Sequence, residues 1–202
     1  MTPIMTIDLV VKVGGSLLST PEQLQPVLDA IRTAALVRPL LVVPGGGPFA
    51  ETVREIDGQL GLDDDAAHWM AVLAIDQYAH LLASRIPAGT VVVGTRGIST
   101  ALEARRIPVL APSQWLREAD PLPHSWDVTS DSIAAWVAGE VRAKYLVLVK
   151  PPFGFGENLL DPYFSRALSP AIDTFVIRAD EHDELSAVLR GGPTAGGGSE
   201  KT

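Results

Sequence analysis

The sequence predicts an α/β fold, a three-layer αβα sandwich around a mostly parallel central sheet. Two observations carry that expectation. Short continuous apolar runs alternate with helix-length stretches, as in a parallel sheet buried on both faces. The turns leaving the first two runs, Gly14-Gly15-Ser16 and Gly45-Gly46-Gly47, are glycine-rich. They fall at strand carboxyl ends, where open α/β sheets bind ligands. A chain of 202 residues with 47% hydrophobic content supports one sizeable core. No internal repeat or linker divides it, so residues 1–193 read as a single domain and residues 194–202 as a disordered glycine-rich tail.

Composition narrows the chemistry. The absence of cysteine excludes disulfides, thiolate metal sites and a cysteine nucleophile. The four histidines are scattered without metal-ligand spacing, so no protein-built metal site is expected. A formal net charge of −8 argues against nucleic acid as partner. No apolar run approaches the ~20 residues of a membrane span. The stretch Met1–Asp8 has neither a basic region nor a small-residue cleavage site. The expectation is a cytoplasmic protein that uses neither membrane nor nucleic acid.

The first strand covers residues 7–13 and carries Lys12 within an apolar run. A lysine there is costly unless something anionic meets it. The two following glycines let a ligand approach the backbone, and their N–H groups suit an anion. Lys12, Gly14, Gly15 and Ser16 are thus candidates for a phosphate site, with an ordinary turn as the alternative. Ser19-Thr20-Pro21-Glu22 signals a helix start, and the helix runs to about Ala35. Residues 40–43 form the second strand.

Gly45, Gly46 and Gly47 then lead into a helix from Phe49 to about Gln59, where free N–H groups and the helix dipole favour an anion. The loop lacks the Gly-Lys-Ser/Thr ending of a Walker A motif. It meets the dinucleotide pattern only formally, because Asp63-Asp64-Asp65 reads as loop and helix cap rather than as a strand-end acid.

Ala66–Ser84 is a long helix, apolar nearly all round, expected to be buried or to pack on a partner subunit in a homodimer or higher homo-oligomer. Asp76 in its middle either bonds a neighbouring helix, faces a partner, or meets a cationic substrate group. Residues 90–93 are a third strand. Ser99 caps a short helix to Arg105, and residues 107–110 are a fourth strand whose Pro108 suggests an edge or a strand start. Residues 111–124 read as loop. Asp127, Thr129, Ser130 and Asp131 then open a small-residue helix with more polar groups than a cap needs. Residues 145–149 form a fifth strand ending in Lys150. Asp161-Pro162 begins a short helix, residues 174–177 form a sixth strand, and Asp180 caps a helix to Arg190.

Lys-x-Gly-Gly-Ser on the first strand, Gly-Gly-Gly after the second and Thr-Ser-Asp at a helix start resemble, in that order, the amino acid kinase superfamily. His68-Trp69-Met70-Ala71, Asp76-Gln77-Tyr78 and Trp126 to Asp131 look like its small branch tied to one-carbon cofactor synthesis, which includes an aminomethylfuran phosphate kinase. The resemblance is strong over residues 7–150 and thin beyond. It implies an ATP-dependent kinase that uses Mg²⁺ and transfers a phosphoryl group to a phosphate or carboxylate oxygen. By position, Lys12 would neutralise the transferring group and the loop glycines would bind it and the acceptor. Asp131 would hold the lysines. Asp127, with Asp76, Thr129 and Ser130, would read a substrate carrying an amine.

The family's nucleotide loop is replaced by Lys150-Pro151-Pro152-Phe153-Gly154, and the late Gly-Gly-Met segment with its second lysine is missing. Lys150 is the candidate to stand in, with Gly154 beside the nucleotide. The alternatives are a non-catalytic binder on a kinase fold, or a kinase of an amino-acid carboxylate.

Overall fold

The six apolar runs form one sheet. They are β1 (Leu9–Val13), β2 (Leu40–Pro44), β3 (Gly89–Val92), β4 (Ile107–Leu110), β5 (Tyr145–Lys150) and β6 (Asp173–Arg178). In the computed structural model, which describes residues 7–152 and 159–191, they line up as β3-β4-β2-β1-β5-β6, and every pairing is parallel. The expected tail and Gly154 lie outside the described residues.

The helices are α1 (Pro21–Ala34), α2 (Gly47–Leu60), α3 (Asp64–Arg85), α4 (Thr95–Glu103), α5 (Ser113–Ala119), α6 (Ser130–Glu140), α7 (Phe164–Ala167) and α8 (His182–Arg190). They cover both sheet faces. Leu9, Val11, Val13, Val147 and Val149 pack with α1, α8 and the second half of α3. Val10, Leu146 and Leu148 pack with α4, α6 and α7. Side chains alternate along a strand, so this parity is fixed by sequence. Lys12 shares the face of Val10, and Lys150 shares the face of Leu148. Both lysines therefore point toward the α6 layer from neighbouring strands.

The chain departs from local expectation in several places. The turn after β1 is a 3-10 helix, Gly15–Ser19. α4 starts at Thr95 rather than after Ser99, because Gly94 adopts φ 109° and turns the chain straight out of β3. Residues 113–119 are α5, not loop. Pro108 lies on an interior strand, yet as its second residue it fits the strand-start alternative and excludes the edge one. Asp180 does not cap α8, whose N-cap is Glu181; its carboxylate pairs with Arg178 instead. The apolar α3 buries Ala67, Val72, Ala74, Ile75, Tyr78, Ala79 and Leu82 within its own chain.

The two glycine turns meet backbone to backbone. Gly14 N–H donates to Val149 O at 2.9 Å and Gly45 N–H to Val13 O at 2.9 Å, prolonging the sheet. A Cβ on Gly15 would fall 2.0 Å from Gly47 N, and Gly47 has φ +55°. Gly15→Ala is expected to force the loops apart and to lower stability by about 1–3 kcal/mol, the usual cost of overpacking. A urea unfolding midpoint equal to that of the unaltered chain would contradict this.

Candidate active site

Asp131 sits in the first turn of α6, 3% exposed, where the helix dipole favours a carboxylate. Its two oxygens face two ammonium groups. Oδ1 lies 2.8 Å from Lys12 Nζ, and Lys150 Nζ donates to Oδ2 at 2.5 Å. The register pairs Lys12 with Leu148, so Lys150 is two residues further along on the same face. Burial pushes the Asp131 carboxyl up, but the charges of Lys12 and Lys150 outweigh it and hold the pKa below the ordinary carboxylate value. Burial, then the charge of Lys12, pushes the Lys150 ammonium down, and Asp131 offsets only part of that.

A cavity of about 470 Å³ opens beside this cluster. Gly15, Ser16, Gly46 and Gly47 form its glycine-turn side, and Thr129 and Ser130 its α6 side. Of the residues singled out from sequence, these six line the cavity, while Lys12, Asp131 and Lys150 form the adjacent charged cluster. Gly14 and Gly45 serve the sheet with their N–H groups.

Asp76 and Asp127 are not among the lining residues. Asp76 accepts from Ser113 N at 3.1 Å and from Ser113 Oγ at the start of α5, so its carboxylate bonds a neighbouring helix. Asp127 is exposed, and its backbone carbonyl accepts from Tyr163 N–H at 3.3 Å.

The rest of the wall had no site role in the sequence reading, although His68, Ala71, Trp126 and Val128 lie in the motifs that carry the family resemblance. Among the described residues, Arg54 is the one lysine or arginine lining it, and Glu51 and Asp64 are its carboxylates. The Arg54 guanidinium lies 4.2 Å over the Trp126 ring, whose Nε1–H donates to Asp57 at 2.7 Å. His68 stacks on His124 with centroids 4.0 Å apart. Burial, then the charge of His124, pushes the His68 pKa down to about 4, so its ring is neutral at pH 7. His124 bridges Asp65 at 2.5 Å and Asp120 at 2.9 Å; the Asp65 hydrogen bond leads in raising its pKa. These contacts join α2 and α3 to the chain after α5, so short-range sequence pattern carries no sign of most of them.

The sheet order, the two glycine turns and the Lys-Asp-Lys cluster fit one class of protein. The family model for the amino acid kinase family matches residues 9–151, and the chain belongs to that family of phosphotransferases. Among curated proteins it is similar to the [5-(aminomethyl)furan-3-yl]methyl phosphate kinase of Methanocaldococcus jannaschii, 26% identical over 194 residues, or 90% of this chain and 87% of that one. Among solved structures it is similar to uridylate kinase from Archaeoglobus fulgidus, with a TM-score of 0.68 at 19% identity over 92% of this chain and 96% of that one. UMP kinase from Ureaplasma parvum gives a TM-score of 0.65 at 16% identity, with the same coverage.

Removing the shared carboxylate takes the contacting counter-charge from one buried and one partly buried cation. Asp131→Asn is expected to lower stability at neutral pH by about 3–5 kcal/mol, the range for breaking a buried ion pair. Because the folded pKa is depressed, the stabilisation is complete above the unfolded value of about 3.9 and is lost as pH falls through the folded pKa. Urea midpoints of the two proteins should therefore differ most above about pH 5 and converge in acid. A constant gap across pH would contradict the ion-pair account.

Proposed function

We propose that the protein is an ATP-dependent kinase that phosphorylates the phosphate group of a small, aminated phosphomonoester. The observation that carries this is the charge count at the β1–β5 edge. Two ammonium groups share one carboxylate in direct contact, and the further carboxylate that acts on Lys150, Asp161, is already held by Thr129 and Ser132, so the contacting groups keep an excess positive charge beside a cavity whose loops carry backbone N–H groups. Such a centre suits an anion, and phosphoryl transfer needs mainly positioning and charge stabilisation. The acceptor side is consistent. Arg54 offers a cation for a phosphate, and Glu51 and Asp64 offer carboxylates for an ammonium. The name of the methanogen relative points to the same substrate class.

The step needs no general base, because the acceptor phosphate is already an anion. Its oxygen attacks the γ-phosphorus, and the bond to the β–γ bridging oxygen breaks. ADP leaves with that electron pair, and a diphosphate is formed. Lys12 and Lys150 would stabilise the charge spread over the transferring group, while Asp131 keeps both ammonium groups in place. Among the described residues, no group of three or more His, Asp or Glu side chains could hold a metal ion. Both Asp131 oxygens face lysines. The described residues thus offer no protein-held Mg²⁺ centre, and a Mg²⁺ would come held by the phosphates of ATP.

A panel of aminated phosphomonoesters, nucleoside monophosphates and amino acids, scored by ADP release, tests the reading. An aminated phosphomonoester should turn over fastest, and Lys12→Ala should abolish that turnover. Full activity in Lys12→Ala, or preferred turnover of an amino-acid carboxylate, would defeat it. Binding of Mg-ATP without ADP release for any acceptor would favour a non-catalytic binder. Arg54→Met should raise the acceptor KM roughly tenfold, as loss of a charge-assisted hydrogen bond implies, with the KM for ATP unchanged.

A further inference from the structure

Asp161 lies past β5, eleven residues after Lys150 along the chain, and its carboxylate is committed to the start of α6. Oδ2 accepts from Thr129 N at 2.9 Å, from Thr129 Oγ1 at 2.8 Å and from Ser132 N at 2.9 Å, and Ser132 Oγ donates to Oδ1. An ordinary cap is already present, since Thr129 is the N-cap of α6 and its own hydroxyl accepts from Asp131 N at 3.4 Å. Asp161 adds a charged cap from a distant stretch of chain. Its donors, residues 129 and 132, bracket Asp131. The same stretch is tied down a second time where Tyr163 N–H donates to Asp127 O, and Leu160, Tyr163 and Phe164 pack on the α6 side of the sheet.

We propose that Asp161 is a positioning residue: it clamps the chain returning from β5 to the α6 N-terminus, and so fixes the carboxylate of Asp131 between Lys12 and Lys150. This rests on the kinase reading for its effect on rate, though not for its effect on the cluster. The groups facing Lys150 are Lys12 from β1, Asp131 from α6 and Asp161 from the returning chain. Of these, Lys12 disfavours the Lys150 ammonium and both carboxylates favour it. Taking away the Asp161 charge should therefore make Lys150 lose its proton at lower pH.

The test is Asp161→Asn in the full chain, with two readouts. The first is kcat against KM: kcat should fall by about tenfold or more, as small misplacements in an active site do, with the acceptor KM within about twofold. The second is an NMR titration of Lys150 with lysine-selective labelling, practicable because the chain has only the lysines 12, 144, 150 and 201. The Lys150 signal should titrate at lower pH than in the unaltered protein. A variant that loses thermal stability while keeping kcat and the Lys150 titration would reduce Asp161 to a plain cap and overturn the proposal. Should Asp161→Asn not fold, Ser132→Ala replaces it by deleting one donor of the clamp. There kcat should fall about threefold, an order-of-magnitude expectation for one lost bond of several, and an unchanged kcat would overturn the proposal. If the unaltered protein phosphorylates no acceptor, the kinase reading falls, and the Lys150 titration in Ser132→Ala, which loosens the clamp but keeps the Asp161 charge, still decides the role of Asp161: a Lys150 signal that titrates as in the unaltered protein would overturn the proposal.

Discussion

The structure depends on one carboxylate held between two ammonium groups in a nearly dry place. Burying charges is expensive, and their mutual attraction offsets the cost only with good geometry. Here the geometry comes from three separate elements: strand β1, strand β5 and the first turn of α6. Each could shift without the others only by stranding a buried charge. The cluster thus ties sheet to helix layer at one spot, which is also where the sheet edge meets the cavity. Two of the four lysines in an acidic chain converge there. A positive centre in a negative molecule suits an anion locally, without depending on the overall field.

A second constraint is steric. The loops after β1 and β2 approach until Gly15 and Gly47 leave no room for a side chain, and Gly47 needs a positive φ as well. The approach brings the backbone of both loops to the same side of the cavity, next to the lysine cluster. The glycine turns are not interchangeable in what they offer, however. Gly14 and Gly45 extend the sheet with their N–H groups, whereas Gly15, Gly46 and Gly47 face the cavity. Anchoring and presenting are done by adjacent residues of the same turn.

Elements governed by local pattern were legible in the sequence. The buried strands, the proline-opened α1, the acidic start of α3 and the polar start of α6 all follow from periodicity and capping. Lys12, Asp131 and Lys150 were legible too, since strand parity and a helix start place them on one face. Contacts across long stretches of chain were not. α5 is capped by Asp76, 37 residues away from Ser113 in the chain, so its own sequence reads as loop. The Asp76 carboxylate bonds a neighbouring helix, one of the three alternatives that its sequence left open beside a partner subunit and a substrate amine. Asp127 likewise looked like part of the polar cluster before α6, but the turn there leaves it exposed. The charged side chains lining the cavity, Glu51, Arg54 and Asp64, belong to helix stretches whose spacing resembles any solvated face. Only their position over the glycine loops distinguishes them.

The placement of Lys150 bears on how the charged cluster is completed. In the family it resembles, a second lysine comes from a later segment that this sequence lacks. A lysine two positions past the register partner of Lys12 is about 6.6 Å further along the strand direction, on the same sheet face. A single α6 carboxylate can face both from above, one oxygen to each. The second cation of the cluster thus comes from a strand long enough to carry it to the sheet edge, and β5 at six residues is one residue longer than β1 at five. The cost falls on the outgoing chain, which must turn after Lys150 without disturbing the carboxylate that its ammonium shares. The return of Asp161 to the backbone on either side of Asp131 meets that requirement, because it fastens the outgoing chain to the helix turn on which the cluster depends.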